Sequence, residues 1–244
     1  MKKSLSASTE ENAQVPNENF RFLDYLFMDI KHFFRFSTKD PDYYKLAHEI
    51  LGKDFIPPEE IMRSRKRKGI IYTNEQLAQF KKTVPAREIL EWCLNNNYML
   101  IAGPNRPMSL LELRTIKNGY IFPKRGGWYV NERVSKKDKV ETKWYMIRKG
   151  PVPQSTLKSW YGQQYLISDV ETVPNVAELV WAITTYKAVR DIYLLDEICV
   201  RTSSTDSDGD RISVGRFGSE NLSIGSRWDS SRNDNRLALS SARK

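Results

Sequence analysis

An α+β domain is the fold class this sequence predicts, on three observations. From Val200 to Lys244 a sparse apolar skeleton alternates with Ser, Asp, Asn, Arg and Gly. Ile212 and Val214 stand two apart, as do Leu222 and Ile224, and Leu237 and Leu239, with Phe217 and Trp228 between the pairs. Period two puts one face of a strand inside and the other in water. Upstream, Val176, Leu179, Val180, Ile183 and Tyr186 recur at helical spacing behind Pro174, which suits a first helical turn. Finally, an apolar content of 40% in 244 residues is globular, enough for one large domain or a domain with an appendage.

Taken in order, residues 1–20 carry two lysines with no apolar run behind them, and read as a disordered leader rather than a secretory signal. Residues 21–70 read as a helical basic appendage. Phe22–Phe36 has Leu23, Leu26, Phe27, Ile30, Phe33 and Phe34 on one side. Tyr43–Leu51 is a short helix ended by Gly52, and Pro57-Pro58 opens a further turn. The run Arg63-Ser64-Arg65-Lys66-Arg67-Lys68 then reads as a solvated face or linker, with nucleic-acid contact as its functional alternative. Residues 71–244 read as the main domain. Thr73-Asn74-Glu75-Gln76 starts a helix, and Ala86–Asn95 is another, with Ile89, Leu90, Cys93 and Leu94 on one side. Tyr98–Ile101 is a strand running into a Gly-Pro turn, and Leu110–Ile116 a short helix. Gly126–Tyr129 and Trp144–Ile147 suggest two strands joined by the charged loop Glu132–Lys143. Past Pro151-Val152-Pro153, helices are expected at Ser159–Ile167 and Pro174–Val189.

The net charge of +9 is unevenly placed: from Pro151 onward there are 11 Lys and Arg against 12 Asp and Glu, and before it 28 against 18. Attraction to phosphate therefore belongs to the front of the chain, where self-association or nucleic acid is the expected partner. Cys93 and Cys199 exclude a disulfide framework and read as buried thiols in a reducing compartment. No apolar stretch reaches the ~20 residues of a spanning helix, so a cytoplasmic protein with no membrane span is expected. His32 and His48 lie in the front helices, so a Ser or Cys nucleophile in the main domain lacks its base, and neither a P-loop nor a dinucleotide fingerprint occurs. Asp206-Ser207-Asp208-Gly209-Asp210 opens like a calcium loop. A 12-residue loop wants Glu where Phe217 stands, however, and its glycine comes too early. A polar turn is the reading, with calcium the one metal the spacing admits and no cofactor expected. Trp144, Trp160, Trp181 and Trp228 fall on or beside apolar stripes and are expected in the core.

The tail itself reads as a short antiparallel meander with turns at Gly218–Asn221 and Asp229–Arg236. Pro174-Asn175-Val176-Ala177-Glu178-Leu179 before a long helix, then Val200-Arg201-Thr202-Ser203-Ser204, then this meander, together resemble the C-type-lectin-like fold. Within it they resemble the branch shared by formylglycine-generating enzymes and related bacterial lectin-like domains. From about Tyr72 to Lys244 the chain also resembles bacterial proteins that end in Ser-Ala-Arg-Lys and are encoded beside diversity-generating retroelements. In those, reverse transcription rewrites adenines at the 3′ end of the target gene, and AAC-type codons drift among residues such as Asn, Asp, Ser, Tyr, Gly and Arg. The resemblance does not extend to residues 1–70.

What the resemblance implies is a ligand-binding protein without catalysis, its partner an unidentified protein or other macromolecule met by the C-terminal face. Ile212, Val214, Phe217, Leu222, Ile224, Trp228, Leu237 and Leu239, with Gly215, Arg232 and Ala242-Arg243-Lys244, would be fixed scaffold. Asp210, Ser213, Arg216, Ser219, Glu220, Asn221, Ser223, Ser226, Arg227, Ser230, Ser231, Asn233, Asp234 and Asn235 would be the exchangeable contact positions. The departure from pattern is the near absence there of Tyr and Trp, the strong contact residues of evolved binding surfaces. The alternatives are a nucleic-acid-associated protein using the basic front and a copper oxidase of the formylglycine-generating type. The oxidase needs a cysteine pair, for which Cys93 and Cys199 are the candidates, and Cys199 stands ahead of the late sheet.

Overall fold

Residues 42–116, 127–217, 221–227 and 235–244 are described by the computed structural model of the chain. The expected leader and the Phe22–Phe36 helix lie outside them. Helix α1 (Tyr43–Leu51) starts where the Asp42 carboxylate accepts the N–H groups of Tyr44 and Lys45 and stops at Gly52, whose φ of 52° a side chain would resist. After the short strand β1 (Phe55–Ile56), Pro58 opens α2 (Pro58–Arg65) at the position where its missing N–H is not needed. Reciprocal capping boxes start α3 (Asn74–Lys82) from Thr73 and Gln76; α4 (Arg87–Asn95) follows. Leu90 and Cys93 of α4 are buried, but Leu94 is exposed, off the expected apolar side. Next come β2 (Tyr98–Ala102) and β3 (Met108–Ser109), and α5 (Leu110–Thr115), capped by Ser109 and Glu112.

One expected strand is absent. Trp128–Asn131 forms a 3-10 turn, and the supposed charged loop behind it holds α6 (Val134–Lys137) and β4 (Lys139–Val140). The reason is that β5 (Trp144–Arg148), the expected partner, already has both edges taken. The chain continues through α7 (Trp160–Gln164), β6 (Glu171–Thr172) and α8 (Val176–Arg190). Pro174 precedes the N-cap Asn175 of α8 rather than sitting in its first turn. The tail then forms β7 (Cys199–Thr205), β8 (Arg211–Gly215), β9 (Ser223–Arg227), β10 (Leu237–Leu239) and β11 (Ala242–Arg243).

The fold is mixed α+β. One sheet has the order β1-β2-β5-β11-β6, parallel only between β1 and β2; a second has the order β10-β7-β8-β9; β3 and β4 form a small ribbon. Helix α8 is the centre of the core. Its residues from Val176 to Tyr186 are buried with the single exception of Glu178, so burial runs around the helix and not along one stripe. Val180, Trp181 and Ile183 join Met99, Ile101 and Ile147 of the first sheet and Val200, Ile212 and Val214 of the second in one apolar cluster. The Trp181 indole N–H donates to the Ala102 carbonyl at 2.8 Å, so the large ring is buried with its one donor satisfied.

The expected division at residues 70/71 does not fall between separate bodies. Ile56, Ile61 and Ile70 lie in that same cluster, and Asp42–Lys244 is one compact unit. The apolar faces of α2 and the turn after it have nowhere else to be buried. Among the described residues no helix is long and apolar enough to cross a membrane.

Candidate ligand-binding face

Strand register decides which tail residues share a face. Ala238, Val200, Val214 and Ile224 form one row across the second sheet, and all four face the main core. The neighbouring rows, Leu239-Arg201-Ser213-Gly225 and Leu237-Cys199-Gly215-Ser223, therefore face the other way. That outer face is covered over three of its four strands. Lys158 O accepts from Arg201 Nη1 at 3.1 Å and Ser155 Oγ from the Leu239 N–H at 3.0 Å, while Leu239 packs with Val152 and Trp160. The Arg211 guanidinium lies 4.1 Å from the centre of the Trp160 ring.

Three expectations are corrected here. Ser213 is buried, at 1% exposure, and donates to Gly225 O at 3.3 Å; it is not an exposed contact position, because the 155–160 segment covers it. Leu237 and Leu239 are buried as scaffold, but on the face opposite Ile212 and Val214. The meander is antiparallel only through β7, β8 and β9. Strand β10 crosses to the far edge and runs parallel to β7.

The remaining positions fall into two groups. Arg216, Asn221, Ser223 and Asn235 are exposed and lie at one end of the sheet, where β8 finishes and β9 and β10 begin. The φ of Arg216 is 45°, and its N–H donates to Ile198 O at 3.0 Å, which fixes that corner. Gly215 beside it has φ 151°, and a Cβ there would meet Ile198 O at 2.0 Å, a physical reason for glycine at this position. Asp210 and Ser226, both half-buried, lie at the opposite end with the Asp206 turn. Asp206 Oδ1 accepts the N–H groups of Asp208 and Asp210 at 3.0 and 2.9 Å, and its other oxygen takes the Ser226 hydroxyl. The loop is thus a self-bonded polar turn. Arg227 closes β9 opposite Arg211. Ser219, Glu220, Ser230, Ser231, Asn233, Asp234, and the scaffold residues Trp228 and Arg232, lie outside the described residues. Ile212, Val214, Phe217, Leu222 and Ile224 are all buried.

Some neighbours of this face carried no sequence signal. Trp128, 42% exposed, donates its indole N–H to Ile224 O at 2.9 Å and so borders the edge strand β9. Beyond the Asp206 turn a cleft of about 500 Å³ opens between Glu132–Asp138 and Ser203–Ser207. Across it Glu132 accepts from the N–H and hydroxyl of Ser207 at 3.0 and 3.1 Å. Tyr161 and Tyr165 of the α7 region stand 70% and 90% exposed, one helical turn apart.

Neither cysteine is at a surface. Cys93 is buried on α4, and burial pushes its thiol up to about 12, away from the thiolate that metal binding or redox chemistry requires. Cys199 is buried at the start of β7 in the other sheet. Among the described residues no group of three or more His, Cys, Asp or Glu is placed to hold a metal ion. Compared with protein-family models, curated proteins and solved structures, the chain matches none of them.

Proposed function

We propose that this chain is a ligand-binding protein, without catalysis, that presents an exchangeable surface on the far end of its tail sheet. In this reading it is the variable protein of a diversity-generating retroelement, built on a C-type-lectin-like scaffold and working in the cytoplasm, and its ligand is a protein or other macromolecule. One observation carries the reading. Arg216, Asn221, Ser223 and Asn235 are exposed at one end of the sheet, while Gly215 and Phe217 beside Arg216, Leu222 and Ile224 beside Ser223, and Leu237 at the start of β10 are buried, and β8, β9 and β10 are held by strand pairing. Side chains can be exchanged at such positions with little loss of stability, because the contact energy and the folding energy reside in different residues. Ser213 belongs to the buried set and leaves the contact surface.

The test is to randomise Arg216, Asn221, Ser223 and Asn235 together in a displayed library, select against diverse proteins, and melt the selected variants. The reading expects new binders whose melting temperatures stay within a few degrees of the parent. Loss of folding across the library would make this end part of the core and remove the proposal. The retroelement assignment has its own check: a reverse-transcriptase gene nearby and a near-repeat of the gene's 3′ end differing chiefly at adenines.

A further inference from the structure

Arg65 of the basic run is turned inward, 3% exposed, with its guanidinium carbon 5.1 Å from the centre of the Trp181 ring. Another pair of cations lines an open cleft, the one beyond the Asp206 turn. Arg133 and Lys137 both line it, and both are exposed. The Lys137 N–H donates to Arg133 O at 3.0 Å, so the two stand one helical turn apart along α6, with Cβ atoms roughly 5–6 Å from each other. Among the described residues neither side chain makes an ion pair or a hydrogen bond.

Three carboxylates line the same cleft, but most of their oxygens already hold donors. Glu132 accepts from Ser207 with both oxygens, and Asp206 is filled by its own turn and by Ser226. Asp138 Oδ2 takes the Ser204 hydroxyl at 2.5 Å, and Ser204 Oγ in turn accepts the Val176 N–H at 2.8 Å. Glu132 with Ser207 and Asp138 with Ser204 are therefore two bridges to the end of β7, one before and one after the cationic pair in the chain. The hydrogen-bonding capacity left over is mainly that of donors. It comprises about eight N–H groups on the two cations, with the hydroxyls of Ser203 and Thr205 on the facing wall.

We infer that this cleft is a site for a small hydrophilic phosphate monoester. Its volume of about 500 Å³ lies within the range of small-molecule sites. Val134 is the one apolar residue among the described lining residues, so an apolar ligand would find little to bury against. A phosphate dianion has three oxygens to share between a guanidinium and an ammonium one turn apart, whereas a lone carboxylate would leave most of those donors unused. The hydroxyls of the ester suit Ser203, Thr205 and the second oxygen of Asp138. Arg216, Asn221, Ser223 and Asn235 are not among the lining residues, so the site does not rest on the exchangeable surface.

The experiment is calorimetric titration of the full chain with glucose 6-phosphate, glucose and inorganic phosphate at matched ionic strength. It compares the parent, the double variant Arg133→Gln/Lys137→Gln, and Lys66→Gln/Lys82→Gln, which removes two exposed charges elsewhere. Both cleft cations are exposed, so the first double variant should keep its melting temperature within a few degrees of the parent. The expected result is saturable binding of glucose 6-phosphate by the parent and by K66Q/K82Q, with binding at least roughly tenfold weaker in R133Q/K137Q. Glucose alone should not bind, and inorganic phosphate should bind more weakly than the ester. No saturable binding of the ester, or a parent-like affinity in R133Q/K137Q, would overturn the site. An equal loss in K66Q/K82Q would do the same, by assigning the effect to net charge. Phosphate bound as tightly as the ester would overturn the monoester and leave only an ion contact.

Discussion

In the sheet β10-β7-β8-β9 the strands β7, β8 and β9 follow one another with short turns, whereas in β1-β2-β5-β11-β6 only β1 and β2 are neighbours in both chain and sheet. The first kind of sheet assembles from local hairpins and ends in an exposed edge strand, β9. The second is closed by distant segments, and one of its inner strands is sealed on both faces: all five residues of β2 are buried. The difference separates two tasks. The five-stranded sheet resists change on both faces of β2, while the four-stranded sheet resists it on its core face and, on the other face, only where a second segment lies on top.

The comparison is broken most severely from inside the five-stranded sheet. Ile147 is fully buried between β2 and β11, and Ile147→Ala should destabilise by about 2–5 kcal/mol in guanidinium unfolding. Within the four-stranded sheet, Ser213→Tyr forces a large ring under the 155–160 segment and should cost about 1–3 kcal/mol by overpacking. A neutral result there would mean that the outer face is open after all.

A pH titration sharpens the contrast from the other side. Glu171 of β6 is raised by burial, but hydrogen bonds from Tyr98, Ser168 and Ser241 outweigh this and hold its carboxyl below the usual range. A depressed carboxyl contributes stability above its unfolded pKa, and the contribution is lost as pH falls through the folded value. Glu171→Gln should therefore flatten part of the acid limb, below about pH 4.5, of a melting-temperature profile and leave neutral-to-alkaline behaviour parallel to the parent. An unchanged acid limb would mean the carboxylate contributes nothing to folding. The smallest effect is expected at the edge strand. Ser223→Tyr, in the row next to Ser213, should stay within about 0.5 kcal/mol because the position faces water. Equal losses from the two serine substitutions would erase the distinction between covered and open strands.

Much of the local structure is legible in the sequence. Thr73 with Gln76, Ser109 with Glu112 and Asn175 with Glu178 each form the reciprocal cap that their three-residue spacing allows. The apolar pair at 212/214 falls inside β8, and the pair at 222/224 straddles the start of β9, with Leu222 just ahead of the strand. Alternation tells which residues share a face, but not whether another segment covers that face. Ser213 and Ser223 look alike for that reason, and the cover comes from more than fifty residues away. Two-residue strands such as β1, β6 and β11 are too short to carry any period, and they hold the larger sheet together. Arg65 was hidden by its neighbours' charge: a run of cations reads as solvated even when one of them is turned inward.

The place of β11 bears on timing during synthesis. It lies between β5 and β6 and pairs with both. Ala242 pairs with Ile147, roughly 95 residues earlier, and at about 5–20 residues per second a ribosome takes roughly 5–19 s to cover that interval. Until then β5 presents a bare apolar edge, the kind of strand border that recruits other nascent chains. Loop closure over this length adds little equilibrium penalty, so the burden is kinetic. Yield in the cell should depend on elongation speed and on holding chaperones more steeply than the stability of the finished domain would suggest.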